Sequence, residues 1–312
     1  MNISIKKRLL IFSGILGLAF ILLLLPACDI IDPKDAREIT PTDTTGDTLK
    51  TATTDTTIIG GQSIVLPLAP LTKVLVEDYT GHQCGNCPGA STKAAVVDSL
   101  YGNKISVMEV HVGFFARTSS TFNINYRTAA GDKLNTDFGL NDQLPKGMIN
   151  RKPFTSSTVL LNPDDWIGAT DAITKTVSAT AIGIKATYDT ASRSLNVKAY
   201  TKYRSDVNDS YGLTAYLTED SLVSPQVDYR FNPDFIARFL HRHVLRKGLD
   251  PTEGNVLNAA PAVKGTSFLR SMSTILSPAW KPKNCRVNVI VYNTTSKEII
   301  QAEWIELESL LK

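Results

Sequence analysis

Val74-Leu75-Val76-Glu77-Asp78-Tyr79-Thr80-Gly81-His82-Gln83-Cys84-Gly85-Asn86-Cys87-Pro88 runs from an apolar stretch into two cysteines separated by two residues, and then into a proline. Lys73 to Asp78 reads as a buried strand and Gly89 to Tyr101 as a helix. A strand that delivers a C-x-x-C pair to a helix start sets the thiols near backbone amides and a dipole that favour the thiolate. Two intervening residues let the second thiol reach back and resolve a mixed disulfide. Pro88 has no amide proton for a helix begun at Cys84, so the helix is expected to open at Pro88 with Cys87 as its cap.

Outward from this stretch, Ile105 to Phe115 reads as a second apolar strand, and strand, helix, strand implies a parallel pair. A helix follows around Tyr126 to Phe138, then a turn at Pro145. Strands are expected near Met148 to Asn150 and Ser157 to Leu161, and a helix opened by Asn162-Pro163-Asp164-Asp165. After about Thr176 the pattern becomes alternation, over Ala181 to Tyr188, Ser194 to Tyr203, Tyr211 to Thr218, Asn284 to Tyr292 and Glu298 to Ile305. The expected architecture is an α/β domain over residues 63–177 followed by an all-β domain over 178–312, an immunoglobulin-like sandwich.

The N-terminus has the layout of a signal sequence: Lys6, Lys7 and Arg8, then an apolar run from Leu9 to Leu25. By length alone the run is nearly a membrane anchor, but Leu25-Pro26-Ala27-Cys28 resembles the lipobox of bacterial lipoproteins. That resemblance implies removal of residues 1–27 and lipidation of Cys28, which ties the protein to a membrane. The removed segment carries three basic and no acidic residues, leaving 30 of each sign in the mature chain. Without a basic excess, nucleic acid is not an expected partner. From Thr40 to Thr57, ten of eighteen residues are threonine, a composition that cannot build a core, so residues 28–62 are expected to form a flexible stalk. Within it Asp43-Thr44-Thr45, Asp47-Thr48-Leu49 and Asp55-Thr56-Thr57 resemble the O-glycosylation sequon of exported Bacteroidota proteins, which makes Thr44, Thr48 and Thr56 candidate glycan sites.

The C-x-x-C segment resembles the thioredoxin superfamily at three further points. Asp78 stands six residues before Cys84, where thioredoxins keep a buried acid, and Phe138-Gly139-Leu140 through Leu144-Pro145 resembles the run that ends in their cis-proline. The resemblance implies an α/β thioredoxin-like domain in which Cys84 attacks, Cys87 resolves, Asp78 moves protons and Pro145 shapes the docking surface. Gln83 and Asn86 depart from the thioredoxin pattern. More narrowly, the lipobox, the E-D-Y-T-G-H-Q-C-G-N-C-P run and His241-Arg242-His243-Val244-Leu245-Arg246 together resemble the Bacteroidota outer-membrane lipoprotein family named after a 28-kilodalton surface protein. That resemblance implies an outer-membrane address, facing periplasm or surface, and a thioredoxin-like domain followed by a β-rich one.

His82 is read either as a tuner of the Cys84 thiolate or as a loop residue, and His111, inside an apolar strand, as a satisfied core residue. His241 and His243 would share a strand face, but two ligands are too few for zinc, so no metal is expected. Nor is a cofactor, since nucleotide-binding glycine loops, nucleophile elbows and H-E-x-x-H motifs are missing from the sequence. Cys285 is read as a buried inert thiol or as a partner in an intermolecular disulfide. Two functions follow. One is a membrane-tethered thiol-disulfide oxidoreductase acting on protein thiols or disulfides. The other is a non-enzymatic surface binding or adhesion lipoprotein with a structural Cys84-Cys87 disulfide.

Overall fold

A computed structural model describes residues 54–250 and 255–311. The expected signal, Cys28, and the stalk as far as residue 53, with Thr44 and Thr48, lie outside the described residues. Strands β1 (Thr54–Ile59) and β2 (Gln62–Pro67) form an antiparallel hairpin across Gly60 and Gly61, both at positive φ. The stalk assignment is therefore corrected at its end: residues 54–59 are strand. A threonine-rich segment can be a strand when its apolar side finds a surface, and here Ile59, Ile64 and Leu66 bury against Ala181 and Tyr200. Asp55 is tied to Lys202 at 2.6 Å and Arg204 at 3.1 Å, while the neighbouring Thr56 is exposed.

Strand β3 (Val74–Thr80) is buried at every position, followed by α1 (Cys87–Tyr101), β4 (Ile105–His111), α2 (Ala129–Phe138), β5 (Lys146–Ile149) and α3 (Trp166–Thr174). β4 lies parallel to β3, and β5 lies antiparallel on its other side. The helix opens one residue earlier than expected, at Cys87 with Asn86 as cap, because a proline is tolerated anywhere in the first turn. β4 stops at His111, and Phe114 to Ala116 form a 3-10 turn. α2 starts only at Ala129, where Thr128 Oγ1 accepts a hydrogen bond from the Gly131 amide. Ser157 to Leu161 makes no strand, contributing a single bridge between Leu161 and Gly147. Gly147 has a packing reason: a Cβ there would lie 2.4 Å from the ring of buried Trp166, the first residue of α3.

Ten strands follow: β6 (Thr180–Asp189), β7 (Ser194–Tyr203), β8 (Tyr211–Glu219), β9 (Leu222–Val227), β10 (Phe235–His241), β11 (Val244–Gly248), β12 (Asn255–Asn258), β13 (Ser267–Ile275), β14 (Cys285–Asn293) and β15 (Ile299–Glu306). β9 to β13 go beyond the strands that alternation marks. One eight-stranded sheet has the order β15-β14-β8-β11-β4-β3-β5, with β12 also on β8. It draws strands from both sides of residue 177, because Val244 of β11 pairs with Glu109 of β4 and Glu219 of β8. On one face, α1 and α3 cover β3 to β5 through Val76, Val97, Val107 and Trp166, and the β6-β7-β13 sheet packs on β8 and β14 through Leu195, Val197, Leu217 and Val289. α2 packs on the opposite face against Val110 and Leu245. No described helix is long and apolar enough to cross a membrane.

Candidate functional site

Leaving β3, the chain makes a tight turn in which the Cys84 amide donates to the Gly81 carbonyl (2.9 Å) and the Cys87 amide to the Cys84 carbonyl (3.2 Å). Cys84 and Cys87 are joined as a disulfide, and the two residues are only 4% and 1% exposed. What covers them is the β9-β10 hairpin. The Val227 amide donates to the His82 carbonyl and the Tyr229 amide to the Gly85 carbonyl, both at 2.9 Å. The Gln226 side-chain amide donates to the carbonyls of Cys84 (3.1 Å) and Gly81 (3.3 Å). The Tyr229 ring occupies the space beside Gly85, where a Cβ would come within 2.4 Å of it. The outer side of the hairpin exposes Val223, Tyr229, Phe231, Phe235 and Leu240 among the polar Arg230, Asn232, Asp234 and Arg238.

Because side chains alternate along a strand, Glu77 and Asp78 point to opposite faces of β3. Asp78 shares the α1 face with Glu109 and His111 of β4, and its register partner is Glu109. Asp78 is 1% exposed and its Oδ1 has no hydrogen-bond partner. Burial, and then the Glu109 charge beside it, push its pKa well above the usual carboxylate range. Pro145 follows a cis peptide bond and precedes Lys146, which stands opposite Tyr79, so Pro145 lies at the end of β3 that leads into the C-x-x-C turn.

Three imidazoles and a carboxylate gather beside this turn. His111 Nε2 donates to Glu109 Oε1 at 3.0 Å, and His241 Nδ1 lies 3.6 Å from the same oxygen, beyond hydrogen-bond reach. The Arg242 amide donates to Glu109 Oε2 (3.2 Å), and the Glu109 amide donates to the His243 carbonyl (2.9 Å). Burial raises the Glu109 pKa, but the two imidazoles outweigh it and hold the carboxyl down at about 2. Burial lowers His111 to about 4. His82 is buried, donates from Nε2 to the Arg117 carbonyl (2.8 Å) and stacks on Phe122, and burial lowers its pKa as well. Tyr126 closes the pocket, its ring 4.9 Å from His111 and 5.2 Å from His241.

The structure thus brings Asp78, His82, Cys84 and Cys87 to one end of β3. It parts His241 from His243, which sits in the β10-β11 turn at φ 51°, and pairs His241 instead with Glu109 and His111. His111 is only partly satisfied, since its Nδ1 has no partner. A signal for this was present in Val107-Met108-Glu109-Val110-His111-Val112, where two polar residues at strand spacing interrupt an apolar run. Gln226 and Tyr229, the cover of the disulfide, carry no motif. Cys285 is buried, its thiol 3.3 Å from the Lys281 carbonyl, and burial pushes its pKa up to about 12.

A strand, a disulfide-bearing turn and a helix, continued into a sheet shared with a β-rich half, define a protein of mixed α/β and β architecture. The family model described as outer membrane protein Omp28 matches residues 131–308, more than half of the chain. The chain belongs to this outer-membrane lipoprotein family and is an outer-membrane protein. Among solved structures it is similar to HBP35 of Porphyromonas gingivalis, at 18% identity over 76% of each chain with a TM-score of 0.54. An Agrobacterium tumefaciens structural-genomics target matches at 10% identity over 76% of this chain and 95% of that one, with a TM-score of 0.45. A domain of the outer membrane lipoprotein Omp28 from Porphyromonas gingivalis matches at 16% identity over 41% of this chain and 88% of its own, with a TM-score of 0.29. No curated protein sequence matches.

Proposed function

We propose that this protein is a non-enzymatic binding lipoprotein of the outer membrane, in which Cys84-Cys87 is a structural staple and the β9-β10 hairpin presents the contact surface to a protein partner. The observation that carries this reading is the burial of both cysteines under a hairpin laced to the C-x-x-C turn by main-chain hydrogen bonds. Thiol-disulfide exchange requires in-line access of an attacking thiolate to a sulfur, and burial of both cysteines opposes that access. Its outer side supports the second half of the reading, because it exposes three aromatic rings together with Val223 and Leu240 on one short hairpin, side chains of the kind that protein contacts use. A photo-crosslinking residue in place of Phe231, used in intact outer membranes, is expected to yield a protein adduct that persists in the Cys84→Ser/Cys87→Ser double variant. An adduct that disappears with the cysteines, or a mixed disulfide trapped on Cys84 in Cys87→Ser, would overturn it.

A second reading, a tethered oxidoreductase on a thioredoxin-like domain, is favoured by one observation: a buried carboxyl with a raised pKa, Asp78, on the strand that feeds the cysteines. In that reading Cys84 attacks, Cys87 resolves, Asp78 takes and returns the proton, and Pro145 positions the partner chain. It requires the Val227 and Tyr229 hydrogen bonds to break first.

A further inference from the structure

We propose that Glu109, His111 and His241 form a binding site for one divalent transition-metal ion of borderline softness, with zinc as the best match. The inference goes beyond the binding role above and does not depend on it. One ligand atom from each residue can be chosen so that all three lie within 4.8 Å of one another, in a pocket where every residue is buried. Ligands about 2.0–2.1 Å from a tetrahedral centre stand about 3.3–3.4 Å apart. The Glu109 Oε1 distances to His111 Nε2 and His241 Nδ1, 3.0 and 3.6 Å, bracket that spacing. An ion would displace the proton that Nε2 donates to Glu109, the neutral His111 ring carrying its hydrogen on Nδ1 instead.

The donor types agree as well. Two neutral imidazoles and a carboxylate are the ligands that zinc and its neighbours in the first transition row take, and three protein ligands leave one position for water. An independent sign comes from His241. It is fully buried, yet neither ring nitrogen has a hydrogen-bond partner, and Nδ1 is aimed at Glu109. Buried imidazole nitrogens are normally partnered, so a ring held this way points to a ligand. Glu109 and His111 share a face of β4, and the Arg242 amide fixes the second Glu109 oxygen. Cys84 and Cys87 are committed to each other and supply no thiolate.

The test is Co²⁺ titration of the full chain after exhaustive chelation, both on the folded protein and during refolding, read by visible d–d absorption and competed with Zn²⁺. One Co²⁺ per chain is expected, displaced by one equivalent of Zn²⁺ and unchanged in Cys84→Ser/Cys87→Ser. His241→Phe and His111→Phe, which keep a ring in the pocket, are each expected to weaken binding at least 100-fold while circular dichroism stays native. Failure of the wild-type chain to take up Co²⁺ by either route would overturn the proposal. So would equal uptake by the two phenylalanine variants, or a sulfur-to-metal charge-transfer band that vanishes with the cysteines.

Discussion

Glu77 and Asp78 are neighbours on one buried strand, and the two faces they enter are built on opposite rules. On the Glu77 side, Arg151 makes a bidentate pair with the carboxylate at 2.9 and 2.8 Å, Tyr216 hydroxyl lies 3.2 Å from the same guanidinium, and Arg151 stacks over Phe138. Every charge there has its complement, and the one unpartnered polar atom of β3 on that face is the neutral Tyr79 hydroxyl. On the Asp78 side, Glu109 stands among imidazoles, and Asp78 Oδ1, His111 Nδ1 and both nitrogens of His241 have no partner. A closed network holds a fold together. An open one is a destabilising element that a fold keeps when the site has a further use.

The comparison predicts opposite responses to the loss of polarity. Glu77→Met strands the Arg151 guanidinium in the core and is expected to cost about 3–5 kcal/mol in urea unfolding. Adding Arg151→Met should recover most of that loss, since an apolar pair of similar volume replaces a matched ion pair nearly neutrally. Next in size is Gly85→Ala, whose Cβ meets the Tyr229 ring. It should cost about 1–3 kcal/mol and speed reduction of the disulfide by displacing the hairpin. His241→Phe, measured in chelator, removes two unpartnered buried nitrogens and should change stability by less than about 1 kcal/mol, in either direction. A cost as large as that of Glu77→Met would erase the distinction between the two faces.

The smallest effect concerns Cys285. Its folded pKa, about 12, lies above that of an unfolded thiol. A raised thiol pKa means the unfolded chain ionises first, so the contribution is fully present below about pH 8.5 and lost as the pH climbs toward 12. Iodoacetamide at pH 8 should therefore leave Cys285 unmodified in the folded protein and label it fully in urea. Labelling at the same rate in both states would show that the thiol is not buried.

Much of this was legible in the sequence. The apolar run of β3, the C-x-x-C turn and the long alternating strands β6, β7, β8, β14 and β15 are local patterns, and local patterns fix local structure. What could not be read was which strands meet. β9 and β10 carry Ser224, Pro225, Gln226 and Arg238 among their apolar residues, and pair through a bulge between Ile236 and Phe239, so no alternation announces them. The metal-ligand geometry depends on His241 returning to β4 across more than a hundred residues. Sequence spacing finds ligands only when they share an element, as Glu109 and His111 do. The β1-β2 hairpin was hidden for another reason: its threonines match a stalk by composition, and only packing on Ala181 and Tyr200 makes them a strand.

Burial of the Cys84-Cys87 disulfide sets the rate at which it is reduced in the folded chain. Wild-type protein in dithiothreitol, quenched by alkylation and read by mass, should lose the disulfide no faster than the chain unfolds, with the rate rising in urea and in Gly85→Ala. Rapid reduction of the wild-type chain with native circular dichroism, at the pace of an exposed disulfide, would contradict the account and return Cys84 to the role of an exchanging thiol.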